Sequence, residues 1–443
     1  MIRSATLLAI VFHVALVLCF VIANLRLAGA QHQEQDAQRA RELPEEVALT
    51  TFNPAPIRIV LNDLPQPFDS ESAQRGPQVV EPPANAHLEA PTGFCVQRFA
   101  RVSGARWLAR GPNGEVLCST SSDNRVVVLN DRNKDGVAED QYELLNPATG
   151  TNQPFGMAFH EDWFFLGNTD AVVMFDWSRK DDRIVLGQSQ RIADLPGKGY
   201  NQHWTRNVVV GPNGDKLYVS IGSETNVDVE GHRRACVLEM NLDGSDQRVV
   251  ASGLRNPVGL DFHPTTGQLF TTVNERDGLG DDLVPDYLTS VKDGAFYGWP
   301  FAYLSPNNLD PRRIKDGRSE NPELAARTTT PEVLFQAHSA ALGLAFARGE
   351  MFPARYRDGA FVAMRGSWNR QSGTGYKIAF VPFENGRPLG HYEDFVRGFL
   401  IDPAGPKTWG RPVAVLALPD GSLLFTEEAN GWIYRVSYRA AVR

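Results

Sequence analysis

A short phrase of alternating apolar residues, broken by Gly and Pro turns, recurs along this chain and limits the folds it can adopt. One copy, GPNGDKLYVS, runs from Gly211 to Ser220. Equivalent apolar positions, at intervals of 48, 52, 52, 92 and 63 residues, are Leu117, Phe165, Leu217, Leu269, Phe361 and Leu424. A strand–turn–strand unit with a period near ~50 residues is typical of β-propeller blades, and six copies predict six blades.

The need to bury sheet faces explains why such units come as a ring. A single twisted four-stranded sheet cannot cover both of its faces, so blades pack against one another around a channel. The 39 Gly and 29 Pro residues suit many turns. We therefore predict an all-β fold, a six-bladed β-propeller over residues 57–443, with long loop insertions on one face. The longest interval holds a Pro-rich insertion from Pro300 to Pro331.

The first thirty residues have the features of a targeting segment. Arg3 precedes an apolar stretch over residues 5–23, and an Ala-Gly-Ala sequence follows. This pattern predicts a signal peptide over residues 1–30, although the apolar stretch is also long enough for an uncleaved membrane anchor. Residues 31–56 are polar and acidic and then Pro-containing, which predicts a disordered linker. Either form of the leader predicts a periplasmic or secreted protein.

The charge balance and the cysteines bear on partners and compartment. The chain has 44 Lys and Arg against 52 Asp and Glu, a net charge of −8, which argues against a nucleic-acid partner.

After the leader only Cys95, Cys118 and Cys236 remain. Cys95 and Cys118 either pair in an oxidising compartment or are small buried hydrophobic residues.

Two turn-adjacent motifs contain candidate catalytic residues. His203 lies in GYNQHWTRN, just before a predicted strand. A histidine at a channel mouth is a candidate general base, and the alternative is a hydrogen-bonded loop histidine. Arg255 and Asn256 lie in GLRNPVG, where a guanidinium can bind a carboxylate or polarise a carbonyl. The alternative there is a plain Asn-Pro turn.

Two acidic loops are candidate calcium sites. NERDGLGDDLVPDY, from Asn274 to Tyr287, concentrates carboxylates and glycines, as a calcium loop or a solvated acidic loop does. Asp131, Asn133 and Asp135 match the first half of an EF-hand loop, but its closing Glu is missing. They form either a second calcium site or a plain hairpin turn.

Two further motifs carry arginines next to tryptophans. Arg365 lies in MRGSWNR and Arg411 in WGRP. Together with Arg255 they place three arginines around one rim of the predicted channel. Such a cluster favours an anionic ligand or cofactor.

Five motifs in order resemble the soluble glucose/sorbosone dehydrogenase family, which uses pyrroloquinoline quinone. They are GLRNPVG, NERDGLGDDLVPDY, FYGWP (296–300), RGSWNR and WGRP, and they are most similar to the sorbosone dehydrogenase branch. The resemblance runs from Ile57 to Tyr438. It implies a six-bladed propeller that oxidises an aldose or sugar-derived aldehyde by hydride transfer to the quinone.

The resemblance also implies roles for individual residues. His203 matches the general base, and Arg255 and Asn256 match residues that contact the quinone. Backbone carbonyls near Asp277 and Gly278 match a loop that holds Ca²⁺ against the cofactor. The cations that meet the cofactor carboxylates are matched by Arg365 and Arg411.

Two positions depart from the glucose-oxidising members. Val258 stands where they have a Gln that contacts the cofactor, and Val413 where they have a second Arg. No C-x-x-C-H haem motif occurs, so the resemblance implies an external electron acceptor, a quinone or a cytochrome. The alternatives on the same fold are a calcium-dependent lactonase-type hydrolase and a non-catalytic propeller that binds a glycan or protein.

Overall fold

The computed structural model describes residues 47–439, and its regular secondary structure is almost entirely β-strand. The predicted leader and linker residues up to 46 lie outside the described residues. Within 47–439 the single α-helix is the short α1, Pro322–Ala325. The 3-10 turns are Leu61–Asp63, Pro147–Thr149, Pro311–Arg313 and Ala354–Tyr356. The prediction of an all-β fold is confirmed at this level, and none of the described helices is long and apolar enough to cross a membrane.

Six mainly antiparallel sheets contain most of the strands, and we number them along the chain. Sheet 1 is Trp107–Arg110, Val116–Thr120, Arg125–Asn130 and Asp140–Leu145. Sheet 2 is Met157–His160, Trp163–Asn168, Ala171–Lys180 and Arg183–Asp194. Sheet 3 is Val208–Val210, Lys216–Ile221, Cys236–Asn241 and Arg248–Ser252, joined in parallel by Ala295–Phe296.

The remaining three sheets follow the same order. Sheet 4 is Asn256–Phe262, Leu269–Asn274, Tyr287–Ser290 and Val333–Leu334. Sheet 5 is Ala341–Phe346, Gly359–Met364, Lys377–Glu384 and Glu393–Val396, with Arg387–Pro388 as a side hairpin. Sheet 6 is Pro412–Ala417, Leu423–Glu427 and Trp432–Tyr438, completed by the distant strand Phe94–Arg101.

The recurring sequence phrase marks one position in each sheet. All six apolar positions of the repeat lie on the second strand of a different sheet, and all are buried. The second strand has neighbours on both sides, so an apolar residue there is covered from both directions. The repeat in the sequence therefore corresponds to a repeat of sheets in the structure.

The first strands of the six sheets contact one another in cyclic order, sheet 6 against sheet 1. Small residues allow this close approach. A Cβ on Gly259 would lie 2.6 Å from Leu342 O, and one on Gly343 would lie 2.7 Å from Val413 O. Glycine in the middle of a strand is otherwise unfavourable, and it marks sites of close backbone approach.

The residues before the first strands gather at one end of this arrangement. Arg106 precedes the first strand of sheet 1, Arg255 that of sheet 4, and Arg411 that of sheet 6. A register shift near the start of the first strand, as between Pro257 and Leu260, occurs in sheets 4, 5 and 6. Bulges re-aim side chains, and here they lie beside the residues that line the site.

The segment before sheet 1 is more ordered than the sequence predicts. Leu49–Phe52, within the predicted disordered linker, pairs in parallel with Leu88–Pro91. Gln78–Val79 pairs with Lys407–Thr408, which pairs with Leu400–Asp402. The backbone hydrogen bonds of these strands account for the order, so the prediction of disorder does not hold for Leu49–Phe52.

The Pro-rich insertion is also structured. It contains a small hairpin, Ile314–Lys315 with Arg318–Ser319, and α1. Phe296, Phe301 and Ala325 belong to an apolar cluster of its own. Within residues 47–439 the three cysteines, Cys95, Cys118 and Cys236, are free, so the disulfide between Cys95 and Cys118 is not formed.

Candidate functional site

A cavity of about 240 Å³ lies where the first strands begin. Its walls come from the ends of five sheets rather than from one contiguous motif. The sequence-predicted residues that line it are His203, Arg255, Asn256, Asp277, Arg365 and Arg411. The structure therefore brings most of the predicted site together in one place.

His203 is held as a neutral base. Its Nδ1 lies 2.9 Å from Ser223 O and 3.0 Å from Ser223 Oγ. Because a backbone carbonyl only accepts hydrogen bonds, Nδ1 carries the proton and Nε2 keeps its lone pair. Burial, and then the positive charge of Arg255, lower the pKa of His203 well below its ordinary value. The imidazole is therefore ready to accept a proton at neutral pH.

Arg255 is buried, and the protein itself uses its hydrogen-bond donors. Its Nε donates to Asn226 O at 3.1 Å, and its Nη1 donates to Glu275 O at 2.7 Å. Its Nη2 donates to Asn226 Oδ1 at 2.9 Å and forms a 3.2 Å ion pair with Asp277. Arg255 thus acts on the cavity through its charge, most directly on His203. Its predicted contact with a quinone stays a prediction.

Asn226, which carries no motif signal in the sequence, organises this wall. Besides binding Arg255, its Oδ1 accepts from Asp277 N at 3.0 Å and its Nδ2 donates to Asp277 O at 3.0 Å. Its carbonyl also accepts from Trp299 Nε1 at 2.9 Å. Asn226 therefore links the loops that carry Arg255 and Asp277 to Trp299, which directly precedes the insertion.

Three buried polar groups of the lining lack a protein partner within residues 47–439. They are Arg106 Nε, Asn256 Oδ1 and Glu275 Oε1. Burial raises the pKa of Glu275 to about 8. Buried polar atoms without partners are rare, and at a cavity wall they point to a ligand or to water.

A second histidine, which the sequence analysis does not identify, faces Asp277. His338 Nδ1 lies 3.4 Å from Asp277 Oδ1, and its Nε2 lies 3.0 Å from Gly280 O. Burial opposes charging of His338, but Asp277 outweighs burial and raises the pKa of His338. The same contacts with His338 and Arg255 lower the pKa of Asp277 against the effect of burial. The Asp277 side chain is therefore committed to neighbouring cations.

Three arginines converge on the opposite wall. Arg106 and Arg365 each form an ion pair with Glu428, and Arg411 Nη1 lies 3.6 Å from Glu428 Oε1. The guanidinium of Arg106 also lies over the ring of Trp204, 4.9 Å from its centroid. Arg365 and Arg411 are in the predicted cluster. Arg106 and Glu428 are missing from it because neither lies in a motif.

The first calcium prediction is neither reproduced nor excluded by the described residues. Asp277 O accepts a hydrogen bond from Asn226 Nδ2, and Gly278 N donates to Asn369 Oδ1 at 2.9 Å. In the part of the chain that the structure describes, no three His, Cys, Asp or Glu side chains come together as metal ligands. A site built on backbone carbonyls at Asp277 and Gly278 stays a prediction.

The second acidic loop lies away from the cavity, between the third and fourth strands of sheet 1. Asp131 Oδ2 accepts from Gly136 N at 3.0 Å, and Asp135 Oδ1 accepts from Val137 N at 2.9 Å. Asn133 Oδ1 accepts from Asp135 N at 2.9 Å. These side chains support the backbone of the turn, as the hairpin alternative expects.

Val258 and Val413, the two positions that differ from the glucose-oxidising members, pack in the apolar core. Val258 and Val413 are both fully buried in one apolar cluster with Leu342, and Val258 also lines the cavity. The third cation comes instead from Arg106, on sheet 1. The cluster thus keeps three arginines although position 413 is apolar.

Comparison with known proteins places the chain in one family. The family described as TrAA12-like matches residues 88–286 and 311–439, more than half of the chain. The chain is 29% identical over 363 residues to an uncharacterized protein of Borreliella burgdorferi, covering 79% of this chain and 91% of that protein. It is 25% identical over 247 residues to the pyrroloquinoline quinone-dependent pyranose dehydrogenase of Coprinopsis cinerea. That match covers 46% of this chain and 33% of the enzyme, so it spans about a third of the enzyme's length.

Solved structures show the same fold at low identity. A Trichoderma reesei carbohydrate-active enzyme of family AA12 superposes with a TM-score of 0.68 at 18% identity, covering 82% of this chain and 100% of that one. The holo PQQ domain of the Coprinopsis cinerea pyranose dehydrogenase gives 0.65 at 18%, with 82% and 99% covered. The PQQ-bound aldose sugar dehydrogenase of Streptomyces coelicolor gives 0.54 at 16%, with 79% and 100% covered.

Proposed function

Because this chain belongs to the TrAA12-like family, we propose that it is a sugar oxidoreductase that uses pyrroloquinoline quinone. Its substrate is an aldose or a sugar-derived aldehyde. The observation that carries this proposal is the pairing of a neutral His203 with three converging arginines across one cavity. Support comes from the pyrroloquinoline quinone-dependent pyranose dehydrogenase of Coprinopsis cinerea and the PQQ-bound aldose sugar dehydrogenase of Streptomyces coelicolor.

The cavity residues fit a quinone that carries carboxylates. Three arginines share one carboxylate, which leaves the wall with net positive charge. Arg106 Nε is buried without a protein partner in the described chain. Arg106, Arg365 and Arg411 would bind the carboxylates of the cofactor, and Asn256 would offer its unpaired Oδ1 beside His203. When bound, the quinone supplies a two-electron acceptor for hydride.

The protein's own residues perform the proton chemistry. His203 Nε2 takes the proton from the hydroxyl of the sugar, or of the hydrated aldehyde, as that carbon is oxidised. Ser223 holds the ring in the tautomer that leaves Nε2 free to accept. Burial and the charge of Arg255 keep the imidazole neutral before reaction, and Asp277 lies close enough to favour the imidazolium once it forms.

The overall architecture and setting belong to the same proposal. We infer that the six sheets are the blades of a six-bladed propeller, supported by the cyclic contacts of their first strands. We also propose that the protein is exported and passes electrons to a separate quinone or cytochrome. The likeness to the sorbosone branch and the Ca²⁺ site remain predictions of the sequence, and no step above depends on them.

Reconstitution tests the proposal directly. The purified full-length protein is loaded with pyrroloquinoline quinone, with and without Ca²⁺, and dye reduction is measured with a panel of aldoses and sugar aldehydes. We expect substrate-dependent reduction only in the loaded protein. Background reduction despite measured quinone binding would overturn the proposal. Hydrolysis of sugar lactones without the quinone would instead support the lactonase alternative.

A further inference from the structure

Glu428 lies at the centre of the arginine cluster rather than at its edge. Arg106 reaches one carboxylate oxygen, Oε2, while Arg365 and Arg411 reach the other, Oε1. The side chain of Glu428 is 14% exposed, so little water shares these contacts. A single carboxylate thus serves all three cations.

Charge repulsion makes this arrangement unfavourable without the carboxylate. Burial, together with the charge of Arg365, lowers the pKa of Arg106, and it lowers the pKa of Arg411 to about 10. Burial works against ionisation of Glu428, but the three arginines outweigh it and bring its pKa to about 2. Glu428 is therefore an anion at every ordinary pH, and it offsets one of three like charges.

The backbone fixes Glu428 independently of any ligand. Its N–H donates to Arg411 O at 3.1 Å. The preceding residue, Glu427, accepts from Ala429 N at 3.0 Å and from Asn430 N at 3.1 Å, which closes the turn. The Glu428 carboxylate is therefore in place before an anion enters the cavity.

We propose that Glu428 is a positioning residue, a resident counter-anion that lets three arginines converge in the ligand-free protein and that an entering polycarboxylate supplements. The inference rests on the proposed function in that the natural ligand carries carboxylates. The three guanidiniums keep donors beyond those that Glu428 uses, because no described protein acceptor bonds Nη2 of Arg106 or Nη1 of Arg365.

The test compares Glu428→Gln with the wild-type chain and with Glu427→Gln. The control removes charge from the adjacent buried carboxylate, whose hydrogen bonds go to the backbone. Thermal unfolding is followed without ligand, with citrate and with pyrroloquinoline quinone, at ionic strength matched with sodium chloride. Without ligand we expect Glu428→Gln to lower the Tm by about 5 °C, because three partly buried cations then lack their counter-anion.

The response to citrate separates positioning from a purely structural role. Glu428→Gln should gain more Tm from citrate than the wild type does, and should bind the quinone roughly tenfold more tightly. Glu427→Gln should lose Tm but keep the wild-type response to citrate. Equal responses in all three proteins, or an enhanced response in Glu427→Gln, would overturn the inference.

A double variant and the comparison of citrate with quinone binding cover the case of a variant that does not fold and the case of a wrong cofactor. If Glu428→Gln does not fold, the double variant Arg365→Gln/Glu428→Gln, which restores the net charge of the cluster, should fold with a Tm near that of the wild type. Failure of that double variant as well would overturn the inference. If the citrate responses are as expected but neither protein binds the quinone, the proposed cofactor fails and the role of Glu428 stands.

Discussion

At the residue scale, one backbone carbonyl decides the chemistry open to His203. Ser223 O accepts from Nδ1, so the proton-accepting nitrogen is Nε2. Burial and the neighbouring charge of Arg255 lower the pKa of His203 and so keep the ring uncharged until a substrate proton arrives. A base prepared in this way is needed for turnover but contributes little to holding an anion on the opposite wall.

Removal of the imidazole should separate these two properties. In His203→Ala we expect kcat to fall by roughly 10²–10⁴, the usual contribution of a general base, while the Kd for the quinone stays within a few-fold. Turnover and fluorescence titration measure the two. His160→Ala, a substitution on sheet 2 outside the cavity lining, serves as the control. Loss of quinone binding would show that His203 holds the ligand instead.

The pH profile should report the depressed pKa of His203. The base works in its neutral form, which predominates above its pKa, and that pKa lies well below 6.5. We therefore expect kcat/KM to stay level from pH 8 down through about 6.5 and to fall only in more acidic solution. A profile of kcat/KM against pH checks this. An acidic limb centred above pH 6.5 would contradict the assignment.

The sequence identifies residues of the site only where a motif surrounds them. His203, Arg255 and Arg411 lie in distinctive phrases and line the cavity. Arg106 and Glu428 lie 322 residues apart, and neither belongs to a phrase that stands out. Their meeting depends on sheet 6 lying against sheet 1, which no local pattern encodes.

At the element scale, the loops before and between strands set the geometry of the site, and a missing side chain can be as important as a present one. Gly222 follows the second strand of sheet 3. A Cβ there would lie 2.5 Å from His203 Cβ and 2.5 Å from Asn256 Oδ1. Both candidate site residues thus lie against one glycine.

Substitution of this glycine should damage catalysis more than stability. Gly222→Ala forces His203 or Asn256 to move by some tenths of an ångström, and we expect kcat/KM to fall about tenfold or more. Gly231→Ala is the matched control, because a Cβ at Gly231 in the same loop meets nothing within 4 Å. Kinetics and Tm are measured for both variants. Equal activities would show that the loop absorbs the change.

Strand positions are predictable here in a way that the N-terminal segment is not. The alternation in each phrase places an apolar residue on a buried second strand. Leu49–Phe52 carries no such alternation and is ordered by its partner Leu88–Pro91. Because the order of this segment comes from pairing with a distant strand, its own sequence resembles that of a linker.

At the scale of the whole molecule, contacts between first strands hold the sheets together. Gly343 in sheet 5 approaches the backbone of sheet 6 so closely that a Cβ would lie 2.7 Å from Val413 O and 2.8 Å from Val415 N. Backbone atoms on both sides of this contact leave no flexible side chain to move. The sheets must separate if anything larger than hydrogen is placed there.

Enlarging this residue should therefore destabilise the assembly of sheets. We expect Gly343→Ala to lower the free energy of unfolding by about 1–3 kcal/mol, the usual cost of overpacking. Urea denaturation measures it. Gly405→Ala, at a site where a Cβ meets nothing within 4 Å, is the control and should be neutral. An unchanged midpoint for Gly343→Ala would mean that the sheets are more loosely packed than the structure shows.

The pairing of Phe94–Arg101 with Trp432–Tyr438 has a consequence for the order of events in biosynthesis. The outer strand of sheet 6, Phe94–Arg101, is synthesised more than 300 residues before its partner, Trp432–Tyr438. Sheet 6 is therefore complete only when residue 438 has been made. Loops of that length close slowly, because the entropy of loop closure is lost before the non-local contacts that stabilise the pairing have formed. The early strand must therefore wait with an unpaired edge.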